Sequence, residues 1–176
     1  MNKTTSCDSS VLINFLRVDR LDLIDRCSFS FVITDHVMEE ISNCFSEQRD
    51  RLEGGLVRKI IQIANVEAPE EFELFGKLSE TGQLGAGECA AIAIAVHREY
   101  HLAIDDNQAI RKTTGLLPSS RILRTQDLVL TMIQEQILEL NDADKLIQIW
   151  ADQHRFKLPI KSFSELLNFS ILGTKS

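Results

Sequence analysis

The chain has 176 residues, a length that suits one domain with a full core. Hydrophobic residues make up 44% and charged residues 26%, the balance of an ordinary soluble globular protein, and no apolar run is long enough to span a membrane. The net charge of −7 argues against a general nucleic-acid binder, because that affinity is largely phosphate neutralisation by Lys and Arg.

The segment MNKTTSCDSS lacks the apolar stretch of a signal peptide, so a cytoplasmic protein is expected. Cys7, Cys27, Cys44 and Cys89 show no CxxC spacing. Buried free thiols are expected, not a disulfide frame or a zinc site.

In chain order, strands alternate with helices, which predicts an α/β fold with a mostly parallel sheet. A first strand ends near Cys7. A helix follows over Ser9 to Arg17, with Val11, Leu12, Phe15 and Leu16 at helical spacing. A second helix covers Leu21 to Arg26, and Phe29 to Ile33 is rich in strand formers. Asp35 is placed to cap a helix that carries Val37, Ile41, Cys44 and Phe45 on one face. A helix is expected at Leu56 to Ala64, then a weak strand at Asn65 to Glu67, then a helix opened by Pro69 and running to about Leu78.

Gly85 and Gly87 break the chain before a helix at Glu88 to Tyr100. That helix is apolar almost all round, so it belongs in the interior, where its alanines allow close approach to the sheet. His101 to Ile104 reads as a strand, Asn107 to Thr113 as a short helix and Arg121 to Arg124 as a strand. Thr125 is a candidate cap for a helix to about Leu138, Asn141 for one carrying Trp150, and Ser162 with Glu165 for a capping box. The expected whole is one domain over residues 1–176, with C-terminal helices from about 126 packed on it.

The acids carry the chemistry. In open α/β sheets, sites form at the carboxyl ends of the strands. Asp8 follows the first strand, and Asp105 and Asp106 follow a later one. Glu40 lies in the helix after the second strand, and Glu88 opens the buried helix. Taken singly, Asp8 is an N-cap, Glu88 complements a helix dipole, Glu40 is a solvated helix residue and the Asp pair is a turn. Helix phase favours Glu40 over Glu39, because Glu40 flanks the Val37–Ile41 stripe and Glu39 falls opposite it. Four acids gathered at one crevice would repel, and a hard divalent cation is the usual remedy.

Four stretches, D-S-S-V-L-I-N at Asp8, V-M-E-E-I at Val37, L-G-A-G-E-C-A-A-I-A-I-A at Leu84 and L-A-I-D-D at Leu102, resemble in order and spacing the PIN-domain nucleases. Within them, the resemblance is to bacterial toxin-like (VapC-type) ribonucleases, and R-I-L-R-T-Q-D-L-V-L resembles the family's last strand and following helix. It implies a three-layer α/β/α sandwich and a metal-dependent endoribonuclease that leaves 5′-phosphate and 3′-hydroxyl ends. Asp8, Glu40, Glu88 and one of Asp105 and Asp106 would bind Mg²⁺ or Mn²⁺. Asp106 is favoured as the fourth acid, two residues after the last strand position. The stretch Lys3 to Cys7 is more polar than the family's usual first strand.

The resemblance also implies the toxin of a toxin–antitoxin pair, with RNA as substrate, a small antitoxin protein as partner and a homodimer as assembly. Ser10, Asn107 and Thr125 would orient ligands or water, and Arg111 and Lys112 would contact phosphate. A non-catalytic interaction module and a nuclease acting on DNA stand as alternatives.

Two other motifs are weaker. Gly85-Ala86-Gly87-Glu88-Cys89-Ala90 fits the dinucleotide fingerprint G-x-G-x-x-A, but no apolar strand precedes it and Glu88 would face the pyrophosphate. His97 and His101 have the spacing of a zinc helix, but Arg98 replaces the glutamate of H-E-x-x-H. His36 and His154 belong to no motif readable in the sequence.

Overall fold

The computed structural model describes residues 3–44 and 46–172. The chain divides into two compact units, Met1–Thr125 and Gln126–Ser176. Among the described residues of the first unit, five strands form one all-parallel sheet. They are β1 (Lys3–Cys7), β2 (Phe29–Ile33), β3 (Ile61–Ile63), β4 (His101–Ala103) and β5 (Ile122–Leu123), in the order β3-β2-β1-β4-β5. The helices that flank the sheet are α1 (Ser9–Arg17), α2 (Leu21–Arg26), α3 (Asp35–Cys44), α4 (Ser46–Val57), α5 (Pro69–Glu80), α6 (Ala86–His97) and α7 (Asn107–Thr113).

The strand order decides where a site can form. The chain starts at the sheet centre, builds outward through β2 and β3, then returns to β4 on the other side of β1. Connections therefore leave β1 and β4 in opposite directions, which opens a crevice at their carboxyl ends. Asp8 continues the ladder there, its N–H donating to the Ala103 carbonyl at 2.9 Å.

The polar first strand is compatible with a central position because its hydroxyls are satisfied. Thr5 and Ser6 are fully buried, and Ser6 Oγ donates to the Ala91 carbonyl of α6 at 3.0 Å. Residues Cys89 to Ala95 of α6 are all buried, and the helix packs on β1 and β4 and against α3 and α5. Val11 to Leu16 are buried on α1, whose last carbonyls accept from Arg51 Nη1 of α4, Leu16 O at 2.6 Å and Arg17 O at 3.1 Å. Glu71 is buried and receives Arg98 Nε at 2.6 Å and Nη2 at 2.9 Å, while the same Nη2 reaches Asn65 O. Cys7, Cys27 and Cys89 are free and buried, as expected. The Phe45 position and the Cys44 side chain lie outside the described residues.

Several expected boundaries shift. The predicted helix at 56–64 and strand at 65–67 are instead α4, ending at Val57, and β3 at Ile61–Ile63. Helix α6 starts at Ala86 and ends at His97, so His97 and His101 sit on different elements. Thr34, not Asp35, caps α3, since Val37 N–H donates to Thr34 Oγ1 at 3.3 Å while Asp35 turns to His36 N–H. No strand lies between α5 and α6, so the glycine pair lacks the strand–turn–helix setting of a dinucleotide loop.

The second unit holds α8 (Thr125–Gln134, whose first residue belongs to the first unit), α9 (Leu140–His154) and α10 (Ser164–Leu172). Helix α8 ends earlier than expected, and Glu139, not Asn141, is the N-cap of α9. Trp150 is fully buried and meets Phe156 edge-on at 5.8 Å. Asp144 accepts from Ser162 Oγ at 2.7 Å and Phe163 N–H at 2.9 Å, tying α9 to the start of α10. Half of the expected capping box forms there: Glu165 Oε1 accepts from Ser162 N–H at 3.2 Å, but Ser162 Oγ accepts from Ser164. Among the described residues, no helix is long and apolar enough to cross a membrane.

Candidate active site

Asp8 is the centre of the crevice. It is the N-cap of α1, 1% exposed, and its Oδ2 accepts from Ser10 N–H at 2.9 Å and from Ser10 Oγ at 2.5 Å. Its Oδ1 is buried with no hydrogen-bond partner among the described residues. Burial pushes the carboxyl up to about 6, against the opposing Ser10 bonds, and the nearby Glu40 charge adds to the rise.

Glu40 is half-buried and bridges two helix starts. Its Oε2 accepts from Ser9 Oγ at 2.8 Å and its Oε1 from Gly87 N–H at 2.9 Å. Glu39 is exposed, in keeping with the helix-phase argument. The carboxylate lies so close to Gly87 that a Cβ there would stand 2.6 Å from both of its oxygens. The glycine is thus required by the acid beside it.

Glu88 is half-buried, and its Oε2 reaches back to Gly85 N–H at 2.9 Å at the start of α6. Its carboxyl is raised, first by burial and then by the negative charges of Asp8, Asp106 and Glu40. That repulsion puts the four acids in one electrostatic neighbourhood.

The two aspartates after β4 part company. Asp105 Oδ1 accepts from Thr125 N–H at 2.9 Å, and Oδ2 accepts from Thr125 Oγ1 at 2.6 Å and Asn14 Nδ2 at 3.2 Å. Asp106 is exposed and caps α7, its Oδ1 accepting from Gln108 and Ala109 N–H, both at 2.8 Å.

Ser10 and Thr125 sit among the acids. Ser10 Oγ donates to Asp8 and accepts from Asp105 N–H at 3.1 Å, so one hydroxyl locks the turns after β1 and β4 together. Thr125 opens α8 and does not cap it; its hydroxyl is given to Asp105. Asn107 braces arginines: its Oδ1 accepts from Arg124 Nη2 at 2.6 Å and its backbone carbonyl from Arg111 Nε at 3.1 Å.

Sequence reasoning did not single out Asn14, Ser9 or Arg124 for the site. Asn14 is 1% exposed and its Nδ2 joins Ser10 O, Asp105 Oδ2 and Thr125 Oγ1. A polar residue within the apolar run Val11–Leu16, one turn after Ser10, is the signal that could have found it.

Among the described residues, no three His, Cys, Asp or Glu side chains converge as ready ligands for one ion. Each acid instead takes donors of its own. The set is nonetheless all-oxygen, it includes a buried oxygen of Asp8 with no partner among the described residues, and its negative charges add to the raised proton affinity of Asp8 and Glu88. In donor chemistry and charge these residues fit a hard divalent cation, although their side chains do not form a finished cage.

No curated protein matches the chain. Residues 5–169 match a family model described as a PIN domain, a span that takes in the whole acidic crevice and reaches into both units. The chain therefore belongs to the PIN-domain family, whose members are in general metal-dependent nucleases.

Proposed function

We propose that this protein is a metal-dependent endoribonuclease that hydrolyses RNA phosphodiester bonds, and that it serves as the toxin of a toxin–antitoxin pair. The observation that carries the hydrolase reading is Asp8: a buried carboxylate with an unpartnered oxygen at the β1–β4 crevice, ringed by the charges of Glu40, Glu88 and Asp106. Such a group is costly to keep and is retained where its charge is used.

Asp8, Glu40, Glu88 and Asp106 would hold Mg²⁺ or Mn²⁺. When bound, such a cation activates water and stabilises charge on the phosphoryl oxygens and the leaving oxygen. Asp105 takes the supporting part, since both of its oxygens already bind Thr125 and Asn14. Through Ser10, that network holds Asp8 in register with the β4 turn. Glu40 is oriented by Ser9 and Gly87.

The test is cleavage of RNA with Mg²⁺ or Mn²⁺ added, stopped by chelator and lost in Asp8→Asn. The toxin role is tested by inducing the protein in a bacterial host. Growth arrest that depends on Asp8 and is relieved by a small partner protein supports it. Healthy growth with active nuclease present sinks that part alone. A homodimer and action in the cytoplasm belong to the same reading.

One observation favours a second reading. Every acid already has a backbone or hydroxyl donor, and no three converge as ligands among the described residues. A PIN-like module that binds a partner without cutting would have that character. Folded protein that cuts neither RNA nor DNA with either cation, yet binds a protein partner, would establish it. Cleavage confined to DNA would redirect the substrate.

A further inference from the structure

One turn before Glu40 on α3, an aromatic ring stands beside the acidic crevice. His36 and Glu40 are four residues apart, so they are neighbours on one helix face, about 6 Å apart by helix rise. The His36 ring meets Phe75 of α5, with centroids 5.3 Å apart and planes tilted by 45°. Asp35 orients it, its Oδ1 accepting from the His36 N–H and lying 2.9 Å from His36 Nδ1. Phe72 precedes Phe75 by three residues, at an adjoining position on α5.

Large rings elsewhere lie inside: Phe15, Phe31, Trp150 and Phe163 are at most 2% exposed. Here the His36 side chain is 36% exposed, Phe75 is half-buried and Phe72 is 56% exposed. Another His–Phe pair, Phe29 with His101, heads β2 and β4 at the opposite end of the strands, and its Phe29 is buried. The neighbouring surface is acidic, with Asp35 and Glu39 of α3 and Glu70 of α5 all exposed. Phosphates are repelled there, whereas the uncharged face of a base is not. Stacking of a base on an aromatic ring needs no cation, and every base has a face to offer.

We propose that His36 and Phe75, with Phe72 beyond them, form a stacking platform for unpaired bases of RNA next to the bond held at the acids. This rests on the nuclease reading above and narrows its substrate to single strands, because bases in a duplex are already stacked on one another. It also supplies a grip that a chain of net charge −7 can use: the bases face the protein and the phosphates face water. Such contacts are tolerant of sequence, so the platform positions the strand without choosing among bases.

The experiment measures binding of a short single-stranded RNA in chelator, so that binding is seen without cleavage. The RNA is used intact and with one abasic site placed at each position in turn. Phe75 also packs on the core, so the variants are His36→Leu, His36→Tyr and Phe72→Leu, with thermal midpoints confirming that each is folded. For wild type, an abasic site at the stacked position should weaken binding on the order of tenfold. His36→Leu should lose a similar factor on intact RNA and lose nothing further at that abasic position. His36→Tyr keeps a ring and should keep the affinity. Phe72→Leu should weaken binding without changing the salt slope, since no phosphate contact is removed. Wild type that cleaves RNA while the ring variants and abasic sites change nothing overturns the platform and leaves the nuclease standing. Ring variants that lose a protein partner but keep RNA affinity overturn the platform and make this face a protein contact. Wild type that binds RNA with coupled losses at ring and base but never cleaves overturns the nuclease reading and leaves the platform. Wild type that neither binds nor cleaves overturns both.

Discussion

Replacing Asp8 with Asn should destroy activity and change the stability of the metal-free fold in a way that depends on pH. The Asp8 carboxyl is 1% exposed and is held at about 6 against an ordinary 3.8. The folded chain therefore binds this proton more tightly than the unfolded chain does. Its stability is unpenalised below about pH 3.8, falls as pH rises through the window between the two values, and bears the full cost above about 6. Each tenfold change in proton affinity is worth about 1.4 kcal/mol, so the full cost is about 3 kcal/mol, of which roughly half is present at about pH 5. In Asp8→Asn the charge is gone, but an amide nitrogen placed where Oδ1 has no partner costs about 1–3 kcal/mol at every pH. The clean quantity is thus the mutant's stability minus the wild type's. It should grow by about 1.5 kcal/mol from about pH 5 to about pH 8. Urea unfolding in chelator at both values measures it; as a thermal midpoint the change is roughly 3–6 °C. Relief of the raised Glu88 acts in the same direction. A stability difference that is flat or shrinks with rising pH would refute the claim that Asp8 is a costly buried charge.

Gly87→Ala should remove cleavage about as fully as Glu40→Gln, because the new Cβ would stand 2.6 Å from both Glu40 oxygens and force that carboxylate aside. The atoms displaced end a flexible side chain, so the thermal midpoint should hold or rise within about 1 kcal/mol; a collapsed midpoint would show the glycine serving the fold and not the acid. Arg98→Ala should cost about 3 kcal/mol or more by stranding the buried Glu71. The Arg98 guanidinium holds Glu71 down at about 2 against an ordinary 4.5, so that support is present above about pH 4.5 and is lost as pH falls toward 2. Acid unfolding of Arg98→Ala should lack that component, and an unchanged acid limb would disprove the pair's role. Mn²⁺ should raise the wild-type midpoint more at about pH 8 than at about pH 5, where Asp8 holds its proton, by up to about 2.7 kcal/mol at a hundredfold excess over Kd. Chelator alone should leave the far-ultraviolet circular dichroism unchanged, since every acid has its own donor.

The parts of the fold legible in the sequence are those with strong local patterns. Helices α1 and α2 and strand β2 fall where apolar spacing places them, because their cores are continuous: Val11 to Leu16 and Phe31 to Ile33 are buried without a break. Helix α4 is opaque for the opposite reason. It carries Gly54 and Gly55, and its only residues described as buried are Leu52 and Gly55, so neither period nor propensity announces it. Strand β3 is three residues at a sheet edge with one side chain buried, and only its pairing with β2 makes it a strand. At the site, Asp8, Glu88 and the Asp105–Asp106 pair stand out as candidates because they lie at element ends, and Glu40, within α3, because of its helix phase. Asn14 and Arg124 do not, because their meaning lies in partners far along the chain: Asp105 for one, Asn107 for the other.

Each of these acids holds a structural place, and the proposed metal-binding role would use the same places. Asp8 and Asp106 are N-caps of α1 and α7, Glu88 reaches the first peptide of α6, and Glu40 takes a peptide N–H from the same helix and a hydroxyl from the start of α1. Helix N-termini carry partial positive charge, and each cap is worth about 1 kcal/mol. Three helix starts aimed at one crevice thus offset part of the repulsion among four carboxylates. The same donors hold each acid in a place of its own, and no three of them converge as ligands among the described residues. A cation must then compete with peptide and hydroxyl hydrogens for Glu40 and Glu88, while Asp8 Oδ1 is already bare. On the proposed nuclease reading, Asp8 is where cation binding would begin, and its substitution should cost more cation affinity than that of Glu40 or Glu88, which have donors to return to.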